Sequence, residues 1–402
     1  MTVHVIGAGL AGLACAVRLS ENNHPVVVHE AAAHAGGRCR SFFDNVLERR
    51  IDNGNHLLLS GNAQAMAYVR AIGSQESFIK PRRAVFPFLD MQNGERWLVE
   101  PGRSLTPGRS PLDYLSAFKL AWASQSATVA DVLGASPLFR KLWQPLCVSV
   151  LNTAAEEAAA RLLWPVLKQT FGRGGAACRP CMVKQGLSES FIDPALALLA
   201  KRGVQVHFNQ RLRQVDFVEN RAGALSFADT NVALEPDDTV ILAVPAEAAA
   251  ALVVDLKPPD TFRAIVNGHF LLPDAGRDTG FLGLVGGVSQ WLFVRGDVVS
   301  VTVSAADDLA RESSKEIAGT LWAEVTKALD LADAPLGPCR IIKEKRATIA
   351  QTPEQVRLRP DTRTRWDNVL LAGDWTQTGL PATIEGAITS GHRAADAVAA
   401  TV

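Results

Sequence analysis

The segment Gly7-x-Gly9-x-x-Gly12 constrains this chain more than any other. It follows a short apolar run, Val3 to Ile6, and precedes a stretch from Leu13 to Leu19 with small residues on one side. A second apolar run, Pro25 to Glu30, carries Val26, Val27 and Val28. Strand, glycine turn, helix and strand within about 30 residues describe a βαβ unit. In such a unit the first glycine permits a tight turn and the second leaves the backbone open to a pyrophosphate. The third lets the helix pack against the sheet. The N-terminus of that helix offers free N–H groups and a positive dipole end to phosphate, and Leu10 and Ala11 of the turn are expected beside the glycines at the cofactor. Glu30 ends the second strand, 18 residues after Gly12, where a carboxylate accepts hydrogen bonds from an adenosine ribose. The competing readings are an incidental glycine turn and a solvated strand end. The position between a predicted strand and a predicted helix favours the dinucleotide site.

A chain of 402 residues is too long for one simple core, so two domains are expected. Lys plus Arg number 41 and Asp plus Glu 41, which argues against nucleic acid as the main partner. No apolar run reaches the roughly 18 residues of a spanning helix. Val240 to Val254 comes nearest, but Pro245 and Glu247 interrupt it, so strand, turn and helix are expected there. The apolar N-terminus lacks the basic segment of a signal peptide. Together with six scattered cysteines this points to a reducing cytoplasm. Cys178 and Cys181 form one C-x-x-C, without the second pair or clustered histidines of a zinc site. Ordinary thiols are expected, and no metal.

Further along, residues 111–172 read as helical, with Trp122, Trp143 and Trp164 among them. Residues 204–208 and 214–218 resemble paired strands, and 239–244 another strand. Residues 281–303 read as Gly- and Val-rich strands, 309–331 as a helix, 368–372 as a last strand and 383–399 as a last helix. There is no tandem repeat.

Gly36-Gly37-Arg38 permits a second close backbone approach to a pyrophosphate, with a cation beside it. Taken with the first glycine motif and Glu30, it resembles the amine oxidase and phytoene desaturase superfamily of flavoproteins. Asp238 to Pro245 resembles that family's strand leading back from the flavin domain. Leu371-Ala-Gly373-Asp374-Trp375, followed by Thr383-Ile-Glu385-Gly386 and Ser390-Gly391, resembles its C-terminal flavin signature. The resemblance implies bound FAD on a Rossmann-type α/β domain, interleaved with an α+β substrate domain. The flavin domain would comprise 1–75, 183–255 and 341–402, and the substrate domain 76–182 and 256–340. It implies that Gly373 and Asp374 approach the pyrophosphate and ribitol, and that Leu212 contacts adenine. It also places Asn53, Gly54, Pro381, Ala382, Thr383 and Ile384 at the cofactor. The start of the last helix would then face the flavin pyrimidine, where a dipole stabilises negative charge on the reduced ring.

Asp52 to Leu59, Leu146 to Thr153 and Gly379 to Thr383 resemble the squalene-associated branch, the hydroxysqualene dehydroxylases of hopanoid synthesis. Asn55 stands where a Gln is expected. This branch implies reductive removal of an allylic hydroxyl from a C30 isoprenoid. Losing hydroxide needs a proton donor, and reduced flavin supplies hydride. His56 and His269 are the candidate donors, with ordinary polar or core roles as the alternative. Lys345 and Arg346 would hold a polar pocket end or lie on a solvated face. No second glycine fingerprint follows a strand, since Gly283 to Gly287 has the wrong spacing, so an external electron donor is expected. Rival activities are a carotenoid desaturase, which runs hydride the other way, and a flavin amine oxidase with an aromatic cage. A non-enzymatic rival is a prenyl-binding chaperone of the same fold. Peripheral contact with the inner membrane surface is expected through the 111–172 region, with its tryptophans filling a core as the alternative.

Overall fold

The computed structural model describes residues 1–104, 106–108, 110–273, 280–331 and 334–400. Alternation of Val3 and Val5 with His4 and Ile6 gives the first strand, Val3–Ile6, two buried faces. It takes the centre of a five-stranded parallel sheet. The strand order is Gln205–His207, Val26–His29, Val3–Ile6, Thr239–Leu242, Val369–Leu371. Central parallel strands need cover on both sides. The helices Leu10–Glu21 and Ile384–Ala399 cover one face, packed with Val3, Val5, Val28 and Ile241. A three-stranded antiparallel layer, 214–218, 221–226 and 231–233, supplies Val215, Leu225 and Phe227 to the other.

The strand near 205 therefore pairs with Val26–His29, not with 214–218 as its spacing suggests. The latter turns back on Arg221–Ser226.

A second sheet has seven strands, ordered Cys339–Ile349, Phe262–Leu271, Val298–Val303, Trp291–Arg295, Gly280–Val285, Phe86–Asp90, Arg96–Val99. All neighbours are antiparallel except Gly280–Val285 with Phe86–Asp90. The helix Ser314–Ala328 covers one face through Ile317, Leu321 and Val325. The short helices between 111 and 173 cover part of the other, around Trp143, Leu151 and Leu163. Residues 341–349 belong to this sheet. The boundary expected at 341 falls inside an eleven-residue edge strand, eight residues of which pair with Phe262–Leu271. Among the described residues no helix is long and apolar enough to cross a membrane.

Candidate active site

A cavity of about 650 Å³ opens where the ends of the parallel strands meet the seven-stranded sheet. Gly7, Gly9, Leu10 and Ala11 line it from the first turn, and Glu30 from the second strand. Gly36, Gly37 and Arg38 face it, as do Gly373 and Asp374 after the last strand. Leu212 closes one end, and Ala382, Thr383 and Ile384 another.

The walls have the chemistry of a dinucleotide cradle. Gly7 adopts φ +107°, and a Cβ there would lie 2.5 Å from the Ala243 carbonyl oxygen. A Cβ on Gly9 would meet nothing within 4 Å, so the backbone at Gly9 faces open space. The helix Leu10–Glu21 starts at Gly9 with no side-chain cap, leaving its first N–H groups for an anion. Glu30 is already held: Oε2 accepts from Ala8 N at 2.7 Å and Oε1 from Ala32 N at 2.8 Å. Each oxygen keeps a lone pair for a ribose hydroxyl. Arg38 donates to Asp374 Oδ1 at 2.7 Å and to the Ala347 carbonyl. The Asp374 carboxylate raises the pKa of the Arg38 guanidinium, against the effect of burial. These residues fit FAD, with the adenosine toward Glu30 and Leu212 and the pyrophosphate against the two glycine turns and Arg38.

The far end of the cavity is presented by the loop after strand Arg49–Asp52. Asp52 anchors that loop: its carboxylate accepts from Ser41 Oγ at 2.6 Å, Leu187 N at 2.9 Å and Arg295 Nη1 at 2.8 Å. Asn53, Gly54, Asn55 and His56 then face the cavity. Asn55, shorter than the expected Gln, still donates to Thr302 Oγ1 at 3.0 Å. Thr302 donates to Asn267 Oδ1 at 2.8 Å, and Asn267 donates to the Asn53 carbonyl at 3.3 Å. This ladder ties the loop to the seven-stranded sheet. His56 is exposed and lines the cavity, with surrounding protein limiting its hydration. Desolvation there lowers its pKa, with Asp52 opposing and Arg38 assisting.

His269 is elsewhere. It is 1% exposed, does not line the cavity, and shares a 2.7 Å hydrogen bond with Ser300. Burial lowers its pKa to about 4. It packs within the second sheet, away from the cavity that His56 lines. Gly12 and Pro381 also stay outside the lining and act through packing. A Cβ on Gly12 would sit 1.9 Å from Gly7 O, and one on Gly386 would sit 2.3 Å from Pro381 O. Both Lys345 and Arg346 are exposed; Arg346 lines the cavity, paired with Glu247, and Lys345 does not. Cys178 and Cys181 are buried, and burial pushes the Cys178 thiol up to about 12.

Asn267, Thr302, Glu344 and Thr348 carry no local motif, yet all four reach the cavity from the second sheet. Arg359, 4% exposed, gives the sequence no signal either. Its guanidinium donates to the carbonyls of Asp374, Thr376 and Leu380 at distances of 2.5 to 3.0 Å, clamping the loop that follows the last strand. Burial lowers its pKa to about 10, with Asp374 opposing.

Comparison with known proteins agrees with this geometry. The family model described as flavin containing amine oxidoreductase matches residues 10–274 and 287–399. A hydroxysqualene dehydroxylase of Rhodopseudomonas palustris is 44% identical, covering 99% of this chain and 98% of that protein. One of Sinorhizobium fredii is 43% identical, covering 98% and 97%. A probable zeta-carotene desaturase of Synechococcus elongatus is 23% identical, covering 99% and 98%. Among solved structures, cyclohexylamine oxidase from Brevibacterium oxydans superposes with TM-score 0.73 at 15% identity, covering 100% and 99%. A putrescine oxidase variant gives 0.72 at 17%, covering 100% of both chains. At those identities the likeness is one of fold.

Proposed function

We propose, for a chain that belongs to the flavin containing amine oxidoreductase family and within it to the hydroxysqualene dehydroxylases, that it reduces hydroxysqualene to squalene with FAD. The carrying observation is identity of 41–44% over nearly the whole chain with three relatives of that name. The carotenoid desaturases are far more distant, at 21–23%. An amine oxidase would need aromatic rings beside the flavin. The two tyrosines are elsewhere: Tyr68 is buried against Phe191 O, and Tyr114 lines a different cavity. Trp375 reaches the lining, but its indole N–H is committed to Val244 O at 2.9 Å.

The glycine turns, Glu30, Arg38 and Asp374 hold the dinucleotide part of the cofactor. Asn53 to His56 and Ala382 to Ile384 would hold its ring end. Bound and reduced, FAD supplies hydride to the carbon that loses its hydroxyl. The protein's task is to deliver a proton to that hydroxyl, so that a hydride and a proton go in and water leaves. His56 is the titratable side chain of the Asn53–His56 loop that is open to the lumen, and we assign the proton transfer to it. The Asn55–Thr302–Asn267 ladder fixes the loop from which it acts. Reducing equivalents come from a separate donor, because the sequence holds one dinucleotide fingerprint, at Gly7 to Gly12.

The test mixes pre-reduced, flavin-loaded protein with hydroxysqualene without oxygen. Squalene should form in step with flavin reoxidation. Reduced flavin that persists, with oxidised protein that desaturates phytoene, would overturn the reading in favour of the desaturase.

A further inference from the structure

The helix Pro111–Trp122 is wound as a 3₁₀ helix, in which residues three apart eclipse one another. Leu112, Leu115 and Phe118 have that spacing, and all three are exposed. Trp122, four residues beyond Phe118 at the helix end, is 80% exposed. Such a row of large apolar side chains on one face marks an interaction surface.

Cations flank it. Trp164 of the helix Ala160–Gln169 lies against Phe118, with ring centroids 5.8 Å apart. Arg161 and Lys168 sit three residues before and four after Trp164, on the same helical face. Both are exposed and neither forms an ion pair or hydrogen bond among the described residues. From 158 to 188 the sequence holds five Lys and Arg and no Asp or Glu.

Behind the helix lies an apolar cavity of about 750 Å³, with Ala117, Trp143, Leu167 and Phe171 in its walls. It shares no lining residue with the flavin cavity. Apolar volume opening under an apolar helix suits fluid chains better than the rigid surface of a folded protein.

We propose that this face docks on an anionic lipid bilayer, with Leu112, Leu115, Phe118 and Trp122 entering the acyl boundary and Arg161 and Lys168 meeting the headgroups. The inference deepens the reading above, since hydroxysqualene resides in lipid, but it stands on surface chemistry alone. Its test is flotation of the flavin-loaded full chain with phosphatidylcholine vesicles, with and without phosphatidylglycerol. The protein should float with the anionic vesicles. Leu112→Ser/Leu115→Ser/Trp122→Ser should lower binding by about tenfold or more, with flavin absorbance retained. Arg161→Gln/Lys168→Gln should lose about tenfold on anionic vesicles and little on neutral ones.

Flavin-loaded protein that stays at the bottom with anionic vesicles would overturn the proposal. So would a triple serine variant that floats like the parent, or a solution dimer that this variant dissociates, which would give the face to a second copy. Turnover of hydroxysqualene in detergent micelles is measured separately, so failure to float leaves the reaction's assignment standing.

Discussion

Gly391 of the last helix lies directly on Ala11 of the first, so close that a Cβ on Gly391 would stand 2.2 Å from the Ala11 carbonyl oxygen. The two helices that flank the cofactor cavity come from opposite ends of the chain, and this contact sets their separation. Gly391→Val should push them apart, lowering stability by about 1–3 kcal/mol and weakening FAD binding together. Gly9→Val is the contrast, because its side chain enters open space: thermal unfolding of the apoprotein should be little changed while FAD is lost. Full FAD occupancy in a folded Gly9→Val protein would remove the pyrophosphate from this turn.

Arg359 acts on the cofactor from behind, through the carbonyls of residues 374, 376 and 380. Arg359→Met fills similar space but leaves the Asp374 carbonyl without its donor, at about 1–3 kcal/mol if no water enters, while Thr376 O and Leu380 O keep Thr378 N and Oγ1. We expect a lower melting temperature and a larger Kd for FAD by fluorescence titration. An unchanged Kd would confine Arg359 to a structural role.

His56 must carry a proton to donate one, and desolvation holds its pKa below the usual histidine value. The protonated fraction therefore falls as pH rises above that lowered pKa. In single-turnover reactions of reduced protein, the rate should decline toward alkaline pH, approaching tenfold per unit. His56→Phe should keep FAD, lose turnover on the order of 10²-fold or more, and abolish that slope. A variant that loses stability but keeps its rate and pH profile would return His56 to packing.

His29, His269 and His392 are each buried with a pKa lowered to about 4, desolvation being the largest cause in every case. Below the unfolded value of about 6.5 the unfolded chain binds protons that the folded chain refuses. Stability should accordingly be full above that pH and fall progressively as pH drops toward about 4. His269→Gln keeps a partner for Ser300 and cannot ionise, so its melting temperature should depend less steeply on pH over this window. It should also leave turnover intact. A steep loss of turnover in His269→Gln would restore it as a candidate donor.

Much of the cofactor end is legible in the amino-acid sequence, because its requirements are local. A dinucleotide needs bare backbone at Gly9 and a tight turn at Gly7 for its pyrophosphate and a carboxylate at Glu30 for its ribose, and the spacing between them follows from one strand and one helix. The C-terminal Gly373 and Asp374 are legible through their resemblance to a known signature. The substrate end is not, because its residues meet only through strand pairing. Alternation shows which side chains share a face but not which strand lies alongside. Hence spacing alone sets the strand near 205 against the wrong neighbour. Asn267 and Thr302 become cavity residues only because their strands lie beside the loop carrying Asn55. The same reason divides the two histidines: His56 and His269 are equally plain in sequence, and only the packing of one sheet against the other opens the first to the lumen and seals the second away.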